Sequence, residues 1–456
     1  MVPLAVLGDP ARILVASAAI GVCAILGLGI AIVGRQEMSV HNLLLKGVGI
    51  TLVALALRFG MSLVQDGGTY DIFYAYRVVG NQLRLGGDIF TGASNGLSNY
   101  PPLIYWQWAS AAAMVPTGNP HLFAFIVRLP YWICDAAVAP VLLALIKGPW
   151  RVRAAWLYAL NPITIAVCTL HGQFDVMPAL ALLLAVAWLG TRPRVAAYAL
   201  GVGVALKTWP GYFLPVFLGW LKHGRWPFVL RVAAVPIVVF AVYAVFHPDH
   251  IVHGILAVLL YVPHRQGFGT SRFFPESWGS AIVPFTNVVL LALVCWIAVR
   301  CSKRDDIPLA DAVALAIVLV LGLSASISDQ YLVWPFGLLL FAGRLRMAAI
   351  LALVLTPATL TVVLHVNGNP AELPTWLFLP GTVALWGSAA ILWRQTRLEL
   401  PTLPFTRGRV VSEPAAATAS VLSDSRTRIT SSTAPDSVSR DALSPRPQEN
   451  DDPDGA

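Results

Sequence analysis

Apolar runs of helical length, separated by short charged clusters, fill the chain from Ala11 to Trp393. The runs Ala11 to Val33 and Leu43 to Val64 predict two spanning helices, since a bilayer core takes about 20 apolar residues. A polar stretch from Gln65 to Asn99 then breaks the pattern. The apolar piece behind it, Leu103 to Val115, is too short to span comfortably. Eleven further runs follow: Leu122 to Ile146, Ala154 to Leu170, Val176 to Leu189, Val195 to Leu206, Gly211 to Leu221, Phe228 to Phe246, Ala281 to Val299, Leu309 to Ser326, Tyr331 to Ala342, Met347 to Leu364 and Trp376 to Trp393. The pattern predicts an all-α polytopic membrane protein, a bundle of about 12–14 transmembrane helices.

Within the polar stretch, Ile72, Phe73, Tyr76, Val79 and Leu83 recur at helical spacing with Arg77 and Arg84 among them. The spacing predicts an amphipathic helix between Tyr70 and Leu85, lying along the bilayer surface and holding Asp71 at the headgroup level.

The basic clusters set orientation. Lys147/Arg151/Arg153, Arg192/Arg194, Lys222/Arg225, Arg300/Lys303/Arg304, Arg344/Arg346 and Arg394/Arg397 are expected on the cytoplasmic side. His171 to Asp175, Lys207 to Trp209, the Pro248 to Trp278 loop, Ser328 to Gln330 and His365 to Pro374 then lie outside. Two conditions follow. Residues 194–222 must cross twice as short helices broken near Lys207-Thr208-Trp209-Pro210, and Leu103 to Val115 must dip without crossing if the 65–99 loop is also outside.

Composition agrees and excludes other classes. With 57% hydrophobic residues, 12% charged and a mean hydropathy of +0.71, this is no water-soluble domain. The net charge of +8 sits in clusters between apolar runs, so it marks topology and membrane lipids as partners and implies no nucleic acid. Behind Leu400 the chain turns rich in Ser, Thr, Pro, Ala and Asp, with 6 basic and 8 acidic residues, and a disordered cytoplasmic tail is expected over 400–456. Cys23, Cys134, Cys168, Cys295 and Cys301 stand singly, as small buried hydrophobes do; no metal site and no cofactor are expected. The N-terminus lacks the pattern of a cleaved leader, so the first run is read as a retained helix.

Five stretches carry a resemblance: TYDIFYAY followed by NYPPLIYW; RLPYWICDAA from Arg128; ALNPITIAVCTLHGQFDVMP from Ala159; ALKTWP from Ala205; and SDQYLVWPF from Ser328. In order and spacing they resemble the GT-C superfamily of integral-membrane glycosyltransferases, the branch that includes dolichol-phosphate-mannose and dolichol-phosphate-glucose dependent enzymes and bacterial relatives. The resemblance runs from about Gln65 to Phe336. It implies a catalytic membrane domain over 65–346, flanked by helices at 1–64 and 347–399. It also implies a polyprenyl-phosphate-sugar donor, mannose as the expected sugar, a glycan or glycolipid acceptor, and an active site facing outward from a bacterial plasma membrane.

Transfer to an alcohol needs a base for the acceptor proton, an apolar groove for the isoprenoid, and cations or amides for the phosphate leaving group. The family's outer-loop acid matches Asp71, with Asp66 as fallback and Asp88 as the weakest of the three; partial desolvation is expected to raise the pKa of Asp71 toward that of a useful base. The alternative for Asp71 is a solvated loop carboxylate. His171, Gln173 and Asp175 form a polar cluster at the outer end of a helix, which is expensive there without partners or function. Asp175 is read as orienting the acceptor or pairing with a base of the phosphate site. Lys207, beside Trp209, is a candidate phosphate contact or a snorkelling lysine. His264, Arg265 and Arg272 suit an anionic phosphate, or a plain surface loop in the case of Arg272. Tyr100, Gln330 and Tyr331 are expected to meet substrate, with interfacial anchoring as the alternative for Tyr331. Arg128 and Asp135, seven apart, are expected to share a structural pair or polar network.

Two other classes fit a polytopic chain: a secondary transporter, or a flippase of lipid-linked sugars. A transporter should repeat its interrupted helices in two matching halves, and no such halves are visible.

Overall fold

The computed structural model of the protein describes residues 10–32, 40–64, 69, 71–94, 96–115, 118–259, 261, 268–365 and 373–396. The tail over 400–456, with the disorder expected of it, lies outside the described residues, as do Asp66, His264 and Arg265. No strand occurs among the described residues, and eight helices are long and apolar enough to cross a membrane. Their outer faces carry large apolar side chains: Leu14 is 70% exposed, Leu52 61%, Ile237 63% and Val288 69%. So wide an exposed apolar surface on a well-packed bundle needs lipid around it. The chain is an all-α, multi-pass membrane protein.

The shorter apolar helices matter more for the site. Pro193–Leu206 stops at Lys207, and after the 3₁₀ turn Trp209–Phe213 the chain returns as Leu214–Trp220. Pro210 lacks the N–H a continuing helix needs, which accounts for the break foreseen there. A second break lies where Leu309–Leu323 gives way to the turn Asp329–Val333 and then Trp334–Phe341, which carries Pro335 in its first turn. A third interruption lies between the π-helical segment Ala166–His171 and helix Val176–Trp188. Non-helical backbone at membrane depth is tolerated where it is buried in protein or lines a cavity, and these breaks are buried together.

The polar stretch is helical as expected, a π-turn Asp71–Tyr76 leading into Arg77–Arg84. Its setting differs from the expectation. Ile72, Tyr76 and Val79 are buried in a cluster with Trp108 and Val127, so this face is spent on protein and not on lipid. Helix Pro102–Met114 lies against it: Tyr76 stacks on Trp108 with ring centroids 4.0 Å apart, and Arg77 donates to the Gly118 carbonyl beyond its far end at 2.7 Å. The middle of this short helix and the turn behind it are thereby held against the loop.

Asp135 does not pair with Arg128. Its partner is Arg58 of helix Val40–Val64, with Nε 2.8 Å from Oδ2, while Tyr158 donates to Oδ1 at 2.9 Å. Arg58 also donates to the carbonyls of Ala54 and Ala159 and to the Thr164 hydroxyl, and it is wholly buried. Arg128 instead donates to the carbonyls of Ala124 and Thr169. Seven residues of helix carry a side chain through about two turns, or roughly 10 Å, so the two charges serve different layers of the bundle.

Candidate active site

The three breaks and the loop meet in one polar cluster. His171 closes a helix at Gly172, whose φ of +82° is the left-handed conformation that lets the chain turn back. A Cβ at Gly172 would also collide with Ile72 and Arg128, so this glycine admits the loop to the cluster. The loop is then tied down: the Thr69 hydroxyl donates to the His171 carbonyl at 2.8 Å and the Tyr76 hydroxyl to Gln173 Oε1 at 2.9 Å.

His171 stands between two acids. Its Nδ1 lies 2.6 Å from Asp329 Oδ2 and its Nε2 3.4 Å from Asp71 Oδ2; the Gln173 amide donates to that same Asp71 oxygen. An imidazole facing a carboxylate from each nitrogen is best satisfied with both nitrogens protonated. His171 ends its helix, where a cation is further favoured by the helix dipole. The Ser328 hydroxyl donates to the other Asp329 oxygen at 2.9 Å. The side chains of His171 and Asp329 are 4% and 1% exposed, whereas that of Asp71 is 41% exposed. Asp71 is thus the carboxylate of the cluster that reaches outward.

The pKa of Asp71 goes the other way from the expectation. Burial does raise it, but the hydrogen bond and charge of His171, helped by Gln173, outweigh burial and hold the carboxyl below its ordinary range. Asp71 is therefore a carboxylate kept ionised, and not one made strongly basic.

Beside this cluster Lys207 is buried, its Nζ 2.8 Å from Asp175 Oδ2 and 3.2 Å from Gln330 Oε1. The rings of Tyr100, Phe174 and Tyr331 surround the ammonium, with centroids at 4.9, 5.1 and 5.1 Å. Aromatic faces suit a cation, and so does the C-terminus of helix Pro193–Leu206, where Lys207 sits. Asp175 takes the matching place at the start of Val176–Trp188, and its second oxygen accepts from Trp334 Nε1 at 2.9 Å. Trp334 in turn stacks on Trp209, centroids 3.9 Å apart. Lys207 does not snorkel. Its ammonium forms the core of an aromatic cage and has one N–H beyond its two acceptors among the described residues.

Asp71, Tyr100, His171, Gln173, Asp175, Lys207, Trp209, Gln330 and Tyr331 thus come together from four stretches that are far apart in sequence. Arg272 is placed elsewhere: it donates to the Leu373 carbonyl from both terminal nitrogens and lies 4.3 Å over the Phe378 ring, while its neighbour Ser271 is bonded to Ala325. Asp88 accepts from Tyr243 at 2.6 Å and from the Phe90 amide at 2.8 Å, anchoring the loop's far end to helix Arg225–Phe246. Sequence reading missed Asp329, although it sits inside SDQY beside two residues that were chosen. It also missed Arg58, whose signal was a lone arginine in an apolar run. Among the described residues no group of three or more His, Cys, Asp or Glu is arranged to hold a metal ion.

No curated protein and no solved structure matches the chain. Residues 100–326, which include His171, Asp175 and Lys207, match the model of Glycosyltransferase family 87, a membrane family, and the match indicates that this multi-pass protein is a glycosyltransferase.

Proposed function

We propose that the protein transfers a sugar, mannose first among the candidates, from a polyprenyl-phosphate donor to a glycan or glycolipid acceptor on the non-cytoplasmic side, with Asp71 as general base. The observation that carries this reading is the carboxylate of Asp71, part exposed and gripped by Gln173 and His171 where the broken helix ends meet. In the reaction the acceptor hydroxyl gives its proton to Asp71 and its oxygen forms the new bond to the anomeric carbon. The bond from that carbon to the phosphate oxygen breaks, and the phosphate leaves with the electron pair. A weak base suffices if the proton moves late, once the anomeric carbon has become strongly electrophilic, and an ionised base is ready over a wide pH range.

The departing phosphate needs donors. Lys207 offers the N–H left over from Asp175 and Gln330, and Arg265 and His264, which lie outside the described residues, are the further candidates. A groove of about 830 Å³ beside Arg272, lined by Phe273, Phe274, Trp278, Phe285 and Trp386, suits the isoprenoid tail. Phe285 and Trp278 are 68% and 56% exposed, so the groove opens to the lipid.

The test is transfer by the purified protein in nanodiscs, with radiolabelled polyprenyl-phosphate mannose and glycolipids extracted from the native membrane. Label passing to a glycolipid is the expected result. A protein that only moves intact donor across the bilayer, with no label in any acceptor, would be a flippase, and the proposal would fall.

A further inference from the structure

At the other end of the bundle a second cavity, about 820 Å³, opens between helices Pro10–Ile32, Leu345–His365 and Leu379–Gln395. Its volume is that of a ligand site, which runs to about 300–1,000 Å³. The segment Arg151–His171 relates it to the candidate active site: Arg153 lines the cavity near the start of these 21 residues, and His171 ends them. The segment is interrupted at Leu160 and Asn161, between helices Arg151–Ala159 and Pro162–Ile165, but its 21 residues are long and apolar enough to cross a membrane, which puts its two ends toward opposite faces of the bilayer.

The cavity has two kinds of wall. Ile32, Ile350 and Ile391 line it and remain 66%, 50% and 49% exposed, so this wall is continuous with the lipid-facing surface. Arg153, Arg344 and Arg346 line it as well. Arg344 is matched by Asp311, which accepts at 2.9 and 3.0 Å, whereas Arg346 is exposed and has no acid within ion-pair reach among the described residues. The indole of Trp150 also borders the cavity, and its buried Nε1–H meets no acceptor among the described residues. The ring rests against Gly343, whose φ of +77° strains any other residue; a Cβ there would lie 3.3 Å from the ring.

We infer that this cavity binds an anionic phospholipid of the leaflet facing away from the candidate active site, its phosphodiester held by Arg153 and Arg346 and its acyl chains lying on the isoleucine wall. A basic pocket between membrane helices suits such a headgroup. The apolar wall open to the bilayer selects a lipid over a soluble phosphate.

The test uses the full chain in nanodiscs of three parts phosphatidylcholine to one part phosphatidylglycerol, then native mass spectrometry of the lipid it retains. Wild type is expected to retain phosphatidylglycerol above its share of the bilayer. Arg153→Gln and Arg346→Gln should each lower that retention about fivefold, and the Lys variants should restore most of it, because the attraction is one of charge. Lys222→Gln, on a basic cluster outside the cavity, should change nothing. If the Arg153→Gln variant does not fold, the exposed Arg346→Gln variant alone decides. Retention unchanged in the Gln variants would overturn the inference. So would equal affinity for the two lipids in wild type, which is the result expected if another part of the chain fills the cavity, or displacement of the lipid by millimolar inorganic phosphate.

Discussion

Asp329 holds His171 at 2.6 Å through Nδ1, which leaves the opposite edge of the ring turned to Asp71. In our reading Asp329 is a positioning residue, acting on the base through the imidazole. Asp329→Asn should lower turnover by about tenfold to a hundredfold, less than the roughly 10²-fold to 10⁴-fold for loss of a base. It should also move the acid limb of the pH profile upward. With His171 less firmly held as a cation, burial of Asp71 is opposed by less and its pKa rises. A fall in rate with an unmoved acid limb would leave Asp329 a structural residue only.

Asp71→Asn keeps shape and removes basicity, and turnover should fall by roughly 10²-fold to 10⁴-fold while donor binding stays within a few-fold. Near-normal turnover would remove Asp71 from the chemistry. In wild type the acid limb due to this group should lie below the ordinary aspartate value of about 4. The same depression fixes the sign for stability: the contribution of Asp71 is fully present above that value and disappears as pH falls through the lower, folded one. Turnover and thermal unfolding followed from pH 7 to pH 3 test both.

Arg58 should matter to the fold more than to chemistry. Arg58→Met leaves Asp135 buried opposite an apolar chain, and losing one partner of a buried ion pair costs about 3–5 kcal/mol. Adding Asp135→Leu removes the stranded charge and should recover part of that loss. Melting of the single and double variants in detergent gives the comparison, and additive losses would mean that the two residues are not coupled.

Orientation is open to direct labelling. In a background without the five native cysteines, Leu85→Cys, at a site 74% exposed in the loop, should react with an impermeant thiol reagent added from outside. Asp305→Cys, whose native side chain is 86% exposed beside Lys222, should react only after permeabilisation. Labelling of both from one side would overturn their placing on opposite faces, and a Leu85→Cys that reacts only after permeabilisation would reverse the assignment of the candidate active site to the outer face.

The helices were legible because lipid demands long apolar runs, and the break at Lys207-Thr208-Trp209-Pro210 because proline and charge together rarely stay inside one helix. Much of the site was legible as well: His171, Gln173, Asp175 and Lys207 stand out as polar residues at apolar boundaries. Which of them touch was not. Arg128 and Asp135 are close in sequence, yet Asp135 meets Arg58, because a partner across helices is chosen by depth in the bundle and not by spacing along the chain. The pKa of Asp71 was misjudged for a related reason: burial can be guessed from a loop sequence, but a histidine 100 residues away cannot.

The broken helices also make the distance between chain turns a setting. Pro193–Leu206 carries Lys207 on its end like a gauge rod, with no second half to absorb an error. One residue added within it would swing Lys207 by about 100° and shift it by about 1.5 Å, taking the ammonium away from Asp175 and out from among the three rings. The length of this segment should thus tolerate less change than its composition: an alanine inserted near Ala199 should be far more damaging than the exchange of Val202 for leucine.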